Sequence, residues 1–141
     1  MVNRTSDPWL LLAIVYAYHQ KDSSLSNIIG NGDLINHAIF SLQELQGGIS
    51  RLINSEYVFE KGGQFLPTDK ILIPYKKLSG KRNQVSKELE FIRTELKAPK
   101  WSENYNPLKA NRGGGYKRIT KDILEKAYND YLQRMKKFWR K

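Results

Sequence analysis

The order of the predicted elements constrains this chain more than any other feature: three helical segments are followed by one glycine-linked hairpin. Apolar residues recur at helical spacing in three stretches, residues 8–20, 25–38 and 42–55. Two short apolar-rich runs follow at residues 57–60 and 64–66, and Lys61-Gly62-Gly63 joins them in a manner typical of a β-hairpin. The pattern predicts an α+β fold that is mostly helical.

The third helix has the strongest local signals. Ser41 can cap its first turn, and Glu44 follows three residues later, as in a capping box. One apolar face is formed by Leu42, Leu45, Ile49, Leu52 and Ile53. We therefore expect Leu45 and Leu52 to lie in the core.

Glycine and proline mark several predicted helix boundaries. Asp7 and Pro8 are suited to the cap and first position of the first helix. The sequence Gly30-Asn31-Gly32 could divide the second helix into two pieces. Thr68 and Asp69 open a fourth helix, which Pro74 should kink or end.

The segment between Asp33 and Thr68 resembles a known family. The resemblance is carried by Asp33-Leu34-Ile35-Asn36-His37-Ala38, Ser41-Leu42-Gln43-Glu44-Leu45, Ser50-Arg51-Leu52-Ile53, Tyr57-Val58 and Phe65-Leu66-Pro67-Thr68. These stretches look like the bacterial winged helix-turn-helix regulators of the MarR and PadR kind. The resemblance covers about half of the chain and implies a winged helix-turn-helix domain over residues 1–78, with the hairpin as its wing. It also implies DNA binding and a role as a transcriptional regulator.

Additional helices are predicted in the C-terminal half. Residues 79–97 contain an amphipathic helix, in which Val85, Leu89, Ile92 and Leu96 form a narrow seam suited to a partner helix. Residues 98–119 hold two prolines and three consecutive glycines, which favour a loop or linker. Residues 120–141 form a basic amphipathic helix. Because these helices carry more apolar surface than a small winged domain can cover, we expect a homodimer.

Charge is distributed unevenly along the chain. The formal net charge is +10, but residues 1–69 carry four Lys/Arg against seven Asp/Glu, a net of −3. Residues 70–108 have a net charge of +5, and residues 109–141 have a net charge of +8. A strongly basic chain usually meets nucleic acid or an anionic surface, and here the partner is expected at the C-terminal end.

Ten residues are predicted to contact DNA. Because a winged helix reads the major groove with its third helix, the polar face of that helix should meet base edges through Gln43, Gln46, Ser50, Arg51 and Asn54. Lys61 at the hairpin tip, together with Lys117, Arg118, Lys136 and Lys137, should contact phosphates. The alternative is that the third helix packs internally or binds a protein. Its single cation, and Glu44, whose carboxylate would repel phosphate, favour this alternative.

The sequence argues against catalysis and membrane insertion. It has no cysteine, no Gly-x-Ser-x-Gly elbow and no phosphate-binding loop, so we expect a non-enzyme without a cofactor. Asp33 and His37 are spaced i, i+4, but a capping aspartate and a helix-end histidine are a better interpretation than a metal site. The longest apolar run has about nine residues, against the roughly 20 that span a bilayer, and no signal peptide is evident, so a cytoplasmic protein is expected.

The rival hypothesis is a non-catalytic protein-interaction module. In that case the acidic winged domain would dock a protein partner, and the basic tail would be incidental or bind RNA. The short cluster at residues 136–141 fits nucleic acid and an anionic membrane surface equally well.

Overall fold

A computed structural model describes residues 6–78, 84–97 and 118–139 of the chain. Within those ranges the elements are α1 (Ser6–His19), α2 (Leu25–Asn36), α3 (Leu42–Asn54), β1 (Val58–Lys61), β2 (Gln64–Pro67), α4 (Asp69–Lys76), α5 (Val85–Leu96) and α6 (Lys121–Trp139). The described part is thus mostly helical with one two-stranded antiparallel sheet, which confirms the predicted class at that level. Most of the predicted linker at residues 98–119 lies outside the described residues.

α1 occupies the centre of the fold. All of its residues from Ser6 to Val15, and Ala17, are buried, and α1 contacts α2, α3, α5 and β2. A helix that is apolar on all sides belongs in a core rather than at a surface. Its first turns are fixed by Trp9, whose ring stacks on Phe40 at 4.0 Å between centroids and whose Nε1 donates to the carbonyl oxygen of Gly32 at 2.8 Å.

α2 is one continuous helix, without the break that its glycines allowed in the sequence. Ser24 caps it by accepting a hydrogen bond from the amide of Asn27. A β-carbon on Gly32 would lie 2.3 Å from Cε2 of Phe40, and one on Gly30 would lie 2.9 Å from ring carbons of Tyr131. Close approach of these two rings therefore explains the glycines, and the packing compensates for their poor helix propensity.

α3 and the hairpin follow their local sequence signals. Ser41 Oγ accepts from the amide of Glu44 at 3.1 Å, and Glu44 Oε1 accepts from the amide of Ser41 at 2.9 Å, so the capping box is confirmed. The side chains of Leu45 and Leu52 are fully buried, as expected.

In the hairpin, Phe59 pairs with Leu66, and the turn glycines Gly62 and Gly63 have φ angles of 58° and 82°. Positive φ at two central residues suits glycine. The amide of Phe65 also donates to the carbonyl oxygen of Ser23 at 3.1 Å, which fixes β2 against the turn between α1 and α2.

One predicted boundary was wrong and one is confirmed. Asp7 lies inside the first turn of α1 rather than at its cap, where it forms the buried ion pair described below. Pro74 lies inside α4, which ends two residues later at Lys76. Thr120 does begin α6, since its Oγ accepts from the amide of Ile123 at 3.2 Å. Among the helices of the described ranges, none has the length and apolar character needed to cross a membrane.

Candidate nucleic-acid interface

Arg51, the only cation of α3, points into the protein. It is 8% exposed, and its Nε and Nη2 donate to the two carboxylate oxygens of Asp7 at 2.7 and 2.9 Å. The prediction that Arg51 lies on the exposed face was therefore wrong. The cause is the neighbouring Gly48, which brings α3 so close to α1 that an added β-carbon would lie 2.6 Å from Cδ2 of Leu10.

The remaining polar residues of α3 differ in accessibility. Gln46 donates its Nε2 to the carbonyl oxygen of Ile119 at 2.6 Å, so its amide is engaged within the chain. Gln43 and Ser50 are half-buried, and Asn54 is exposed. The part of the predicted reading face that stays accessible is therefore formed by Gln43, Ser50 and Asn54.

The segment before α6 is attached to both α3 and the hairpin. Ile119 is 1% exposed and receives the hydrogen bond from Gln46. Arg118 donates Nη1 to Glu60 Oε1 on β1 at 2.8 Å, while 77% of the Arg118 side chain stays exposed. Residues 118–120 thus join the outer face of α3 to the first strand of the hairpin. This juxtaposition was not predicted, because no local pattern links residues 46 and 119.

The predicted phosphate contacts divide into two groups. Lys61 is exposed at the end of β1, on the same hairpin strand as Glu60. Lys136 and Lys137 are exposed in the last turns of α6, and at 1.5 Å per residue they lie on the order of 20 Å along the helix from its first residue. Lys117 lies outside the described residues. The structure therefore brings Lys61 and Arg118 to one strand and places the terminal lysines elsewhere.

α6 packs within its own chain rather than standing free. It contacts α2, where Tyr131 donates its hydroxyl to Asp33 Oδ2 at 2.7 Å and Arg134 donates to Ser26 Oγ at 2.7 Å. Asp33 is therefore engaged with α6, and His37 is the C-cap of α2 with a left-handed φ of 53°. Across the described ranges, no group of three or more histidine or carboxylate side chains is placed to hold a metal ion. The predicted homodimer stays a prediction.

Comparisons with known proteins assign no family to this chain. No family model, curated protein or solved structure matches it. Its function must therefore be inferred from the side chains at α3, at the hairpin and at the start of α6.

A second polar cluster, which the sequence did not predict, lies between α1, α4 and α5. Glu88 is 2% exposed and accepts hydrogen bonds from the hydroxyls of Tyr16, at 2.7 Å, and Tyr75. Burial, together with the hydrogen bond to Glu88, holds the pKa of Tyr16 far above its ordinary value. A signal was available, because Glu88 stands three residues after Val85 and four before Ile92 and so shares the apolar face of α5.

The contact between α2 and α6 predicts a loss of stability in alkali. Burial, and then the hydrogen bond to Asp33, raises the pKa of Tyr131 from 10.0 to about 12. A raised pKa means that the neutral phenol is favoured in the folded state, so its stabilising effect is complete below pH 10 and is lost as the pH approaches about 12. The difference in denaturation midpoint between the parent and Tyr131→Phe, measured just below pH 10, should therefore shrink near pH 12. Comparing the two proteins removes the contribution of the other tyrosines. An equal difference in midpoint at both pH values would contradict the assignment.

Proposed function

We propose that this protein is a DNA-binding regulator in which residues 6–78 act as a winged helix-turn-helix and residues 118–121 bring positive charge to its DNA-binding face. The observation that supports this most directly is the attachment of the segment before α6 to α3 and β1 through Gln46 and Glu60. The order of three helices and a hairpin supports the winged-helix assignment.

The attached segment compensates for the acidity of the rest of the domain. Residues 1–69 have a net charge of −3, which is unfavourable for contact with phosphates. Residues 109–121 hold five Lys/Arg and no Asp/Glu. Arg118 and Lys121, at the end of this basic stretch, supply the proposed face with positive charge, whereas Arg51, the one cation of α3, is turned inward.

The proposed contacts follow from exposure. Most of the Arg118 side chain faces solvent, so a phosphate can approach its guanidinium although Arg118 also pairs with Glu60. Lys61, which follows Glu60 on β1, adds a further exposed cation at the hairpin. Gln43, Ser50 and Asn54 are the accessible amide and hydroxyl groups that can bond to base edges. Arg51 has no part in the contact, because its guanidinium holds Asp7.

Salt-dependent DNA binding tests the proposal. Fluorescence anisotropy with a random-sequence duplex, between about 50 and 200 mM salt, gives the slope of log affinity against log salt. Arg118→Gln with Lys121→Gln should flatten the slope by about two, since each phosphate contact contributes roughly 0.9. The matched control is Lys76→Gln with Lys87→Gln, which removes the same charge from exposed sites on α4 and α5 and should keep the parent slope.

Two results would count against this function. The first is that the full chain binds no duplex DNA even at low salt. The second is that the control pair flattens the slope as much as the Arg118 and Lys121 pair does. The first result would exclude DNA as the partner, and the second would show a diffuse charge effect without a defined face.

One observation favours a second candidate function, a protein-interaction module with an RNA-binding tail. The inward position of Arg51 leaves the outer face of α3 with no exposed Lys or Arg of its own. Single-stranded RNA in the same assay separates the candidates. If RNA binds while duplex DNA does not, and the charge substitutions at Arg118 and Lys121 weaken RNA binding, the second candidate takes precedence.

A further inference from the structure

A cavity of about 470 Å³ lies between the C-terminal part of α1, the end of α2, and the helices α4 and α5. It is lined by Tyr16, His19, Gln20, Leu34, Tyr75, Val85 and Glu88. None of these residues belongs to α3 or the hairpin, so the cavity is separate from the proposed DNA-binding face. Its size is in the range of small-molecule sites.

The cavity holds the buried carboxylate of Glu88, which pairs with no Lys or Arg among the described residues. Each oxygen of Glu88 accepts one tyrosine hydroxyl, one from Tyr16 and one from Tyr75. In the described part of the chain, the ion pairs use the carboxylates of Asp7, Glu90 and Glu60 instead. A carboxylate has about four acceptor positions, so two neutral hydroxyl donors leave acceptor capacity and supply no counter-charge.

The other cavity residues add an acceptor, aromatic faces and apolar surface. Nδ1 of His19 lies 3.0 Å from the carbonyl oxygen of Val15. A carbonyl only accepts, so Nδ1 carries a hydrogen, and in a neutral imidazole of that tautomer Nε2 is an acceptor. Tyrosine rings attract cations through their π faces. Leu34 and Val85 complete the lining with hydrocarbon surface.

We propose that this cavity binds an alkylammonium ion, a protonated primary amine with a short hydrocarbon chain. The ammonium group pairs with Glu88 and lies against the tyrosine rings, and the alkyl chain contacts Leu34 and Val85. An acceptor-rich, negatively charged and partly aromatic lining favours a cationic donor over a neutral or anionic ligand. The ligand class does not depend on whether the protein binds DNA.

The first arm of the test compares ligands of equal shape. The full chain is titrated with n-butylammonium chloride, with n-butanol plus matching sodium chloride, and with sodium butyrate, and binding is followed by two-dimensional NMR. Butylammonium is expected to bind about tenfold more tightly than butanol, as one charge-assisted hydrogen bond predicts, and butyrate should not bind. Equal affinity for the amine and the alcohol would overturn the proposal.

The second arm uses variants with matched controls. Leu34 is 64% exposed, so Leu34→Lys should fold normally and place a competing ammonium group at the cavity, lowering butylammonium affinity about tenfold. Ile73→Lys is the control, since Ile73 is 59% exposed on α4 and does not line this cavity. Glu88→Gln removes the charge and should abolish the preference for the amine, whereas Glu90→Gln, on the exposed side of α5, should keep it. If Glu88→Gln fails to fold, the Leu34→Lys and Ile73→Lys pair still decides, and equal binding by those two variants would refute the site.

Discussion

Arg51→Met should lower the free energy of unfolding by about 3–5 kcal/mol, the usual cost of leaving one member of a buried ion pair without its partner. Asp7 is completely buried, and Arg51 gives it two hydrogen bonds from one guanidinium. Methionine preserves much of the arginine side chain's length and apolar stem, so the loss arises mainly from the stranded carboxylate. Urea denaturation of the full chain measures it.

Two companion variants determine whether the charge or the packing is responsible. Arg93→Met breaks an exposed pair with Glu90 on α5 and should change stability by no more than about 1 kcal/mol. Asp7→Asn combined with Arg51→Met removes both charges and should recover part of the loss, because the buried group is then neutral. If the double variant is as unstable as Arg51→Met alone, packing rather than charge explains the effect.

Leu52→Ala should cost about 2–5 kcal/mol, the range for removing a fully buried leucine side chain and leaving a cavity. Leu52 has no exposed surface and belongs to the core that α1, α3 and β1 share. Thermal or urea unfolding of the full chain checks the value.

Asn54→Ala is the control for Leu52→Ala, since Asn54 lies two residues further along α3 and is exposed. It should change stability by less than about 0.5 kcal/mol, as is usual for surface substitutions. Equal melting temperatures for Leu52→Ala and the parent would show that the packing of α3 on α1 is different from the one described.

The sequence predicted those parts of the fold whose signals are local. The capping box of Ser41 and Glu44 spans four residues, and the glycine turn of the hairpin spans two. Each can therefore be recognised from a few neighbouring residues. The apolar stripe of α3 likewise identified Leu45 and Leu52 as core residues. These features need no knowledge of the rest of the molecule.

The parts that the sequence did not predict depend on contacts between distant residues. Arg51 and Asp7 are 44 positions apart, and Gln46 and Ile119 are 73 apart. Helical periodicity placed Arg51 on the polar face of α3. The close approach of α3 to α1 at Gly48 instead turns the side of α3 that carries Arg51 toward α1. Tertiary packing overrode local preference in the same way at Gly30 and Gly32, where neighbouring aromatic rings explain residues that otherwise favour a break.

The central position of α1 has a consequence for biosynthesis. α1 leaves the ribosome before α5, which forms part of its cover, and the contact between Tyr16 and Glu88 joins residues 72 positions apart. Until α5 has been translated, the nascent chain presents an apolar helix that lacks one of its neighbours. Such surfaces favour association with chaperones or with other unfinished chains. Ribosome-bound chains that end before α5 should therefore be captured by chaperones more strongly than chains that extend past it.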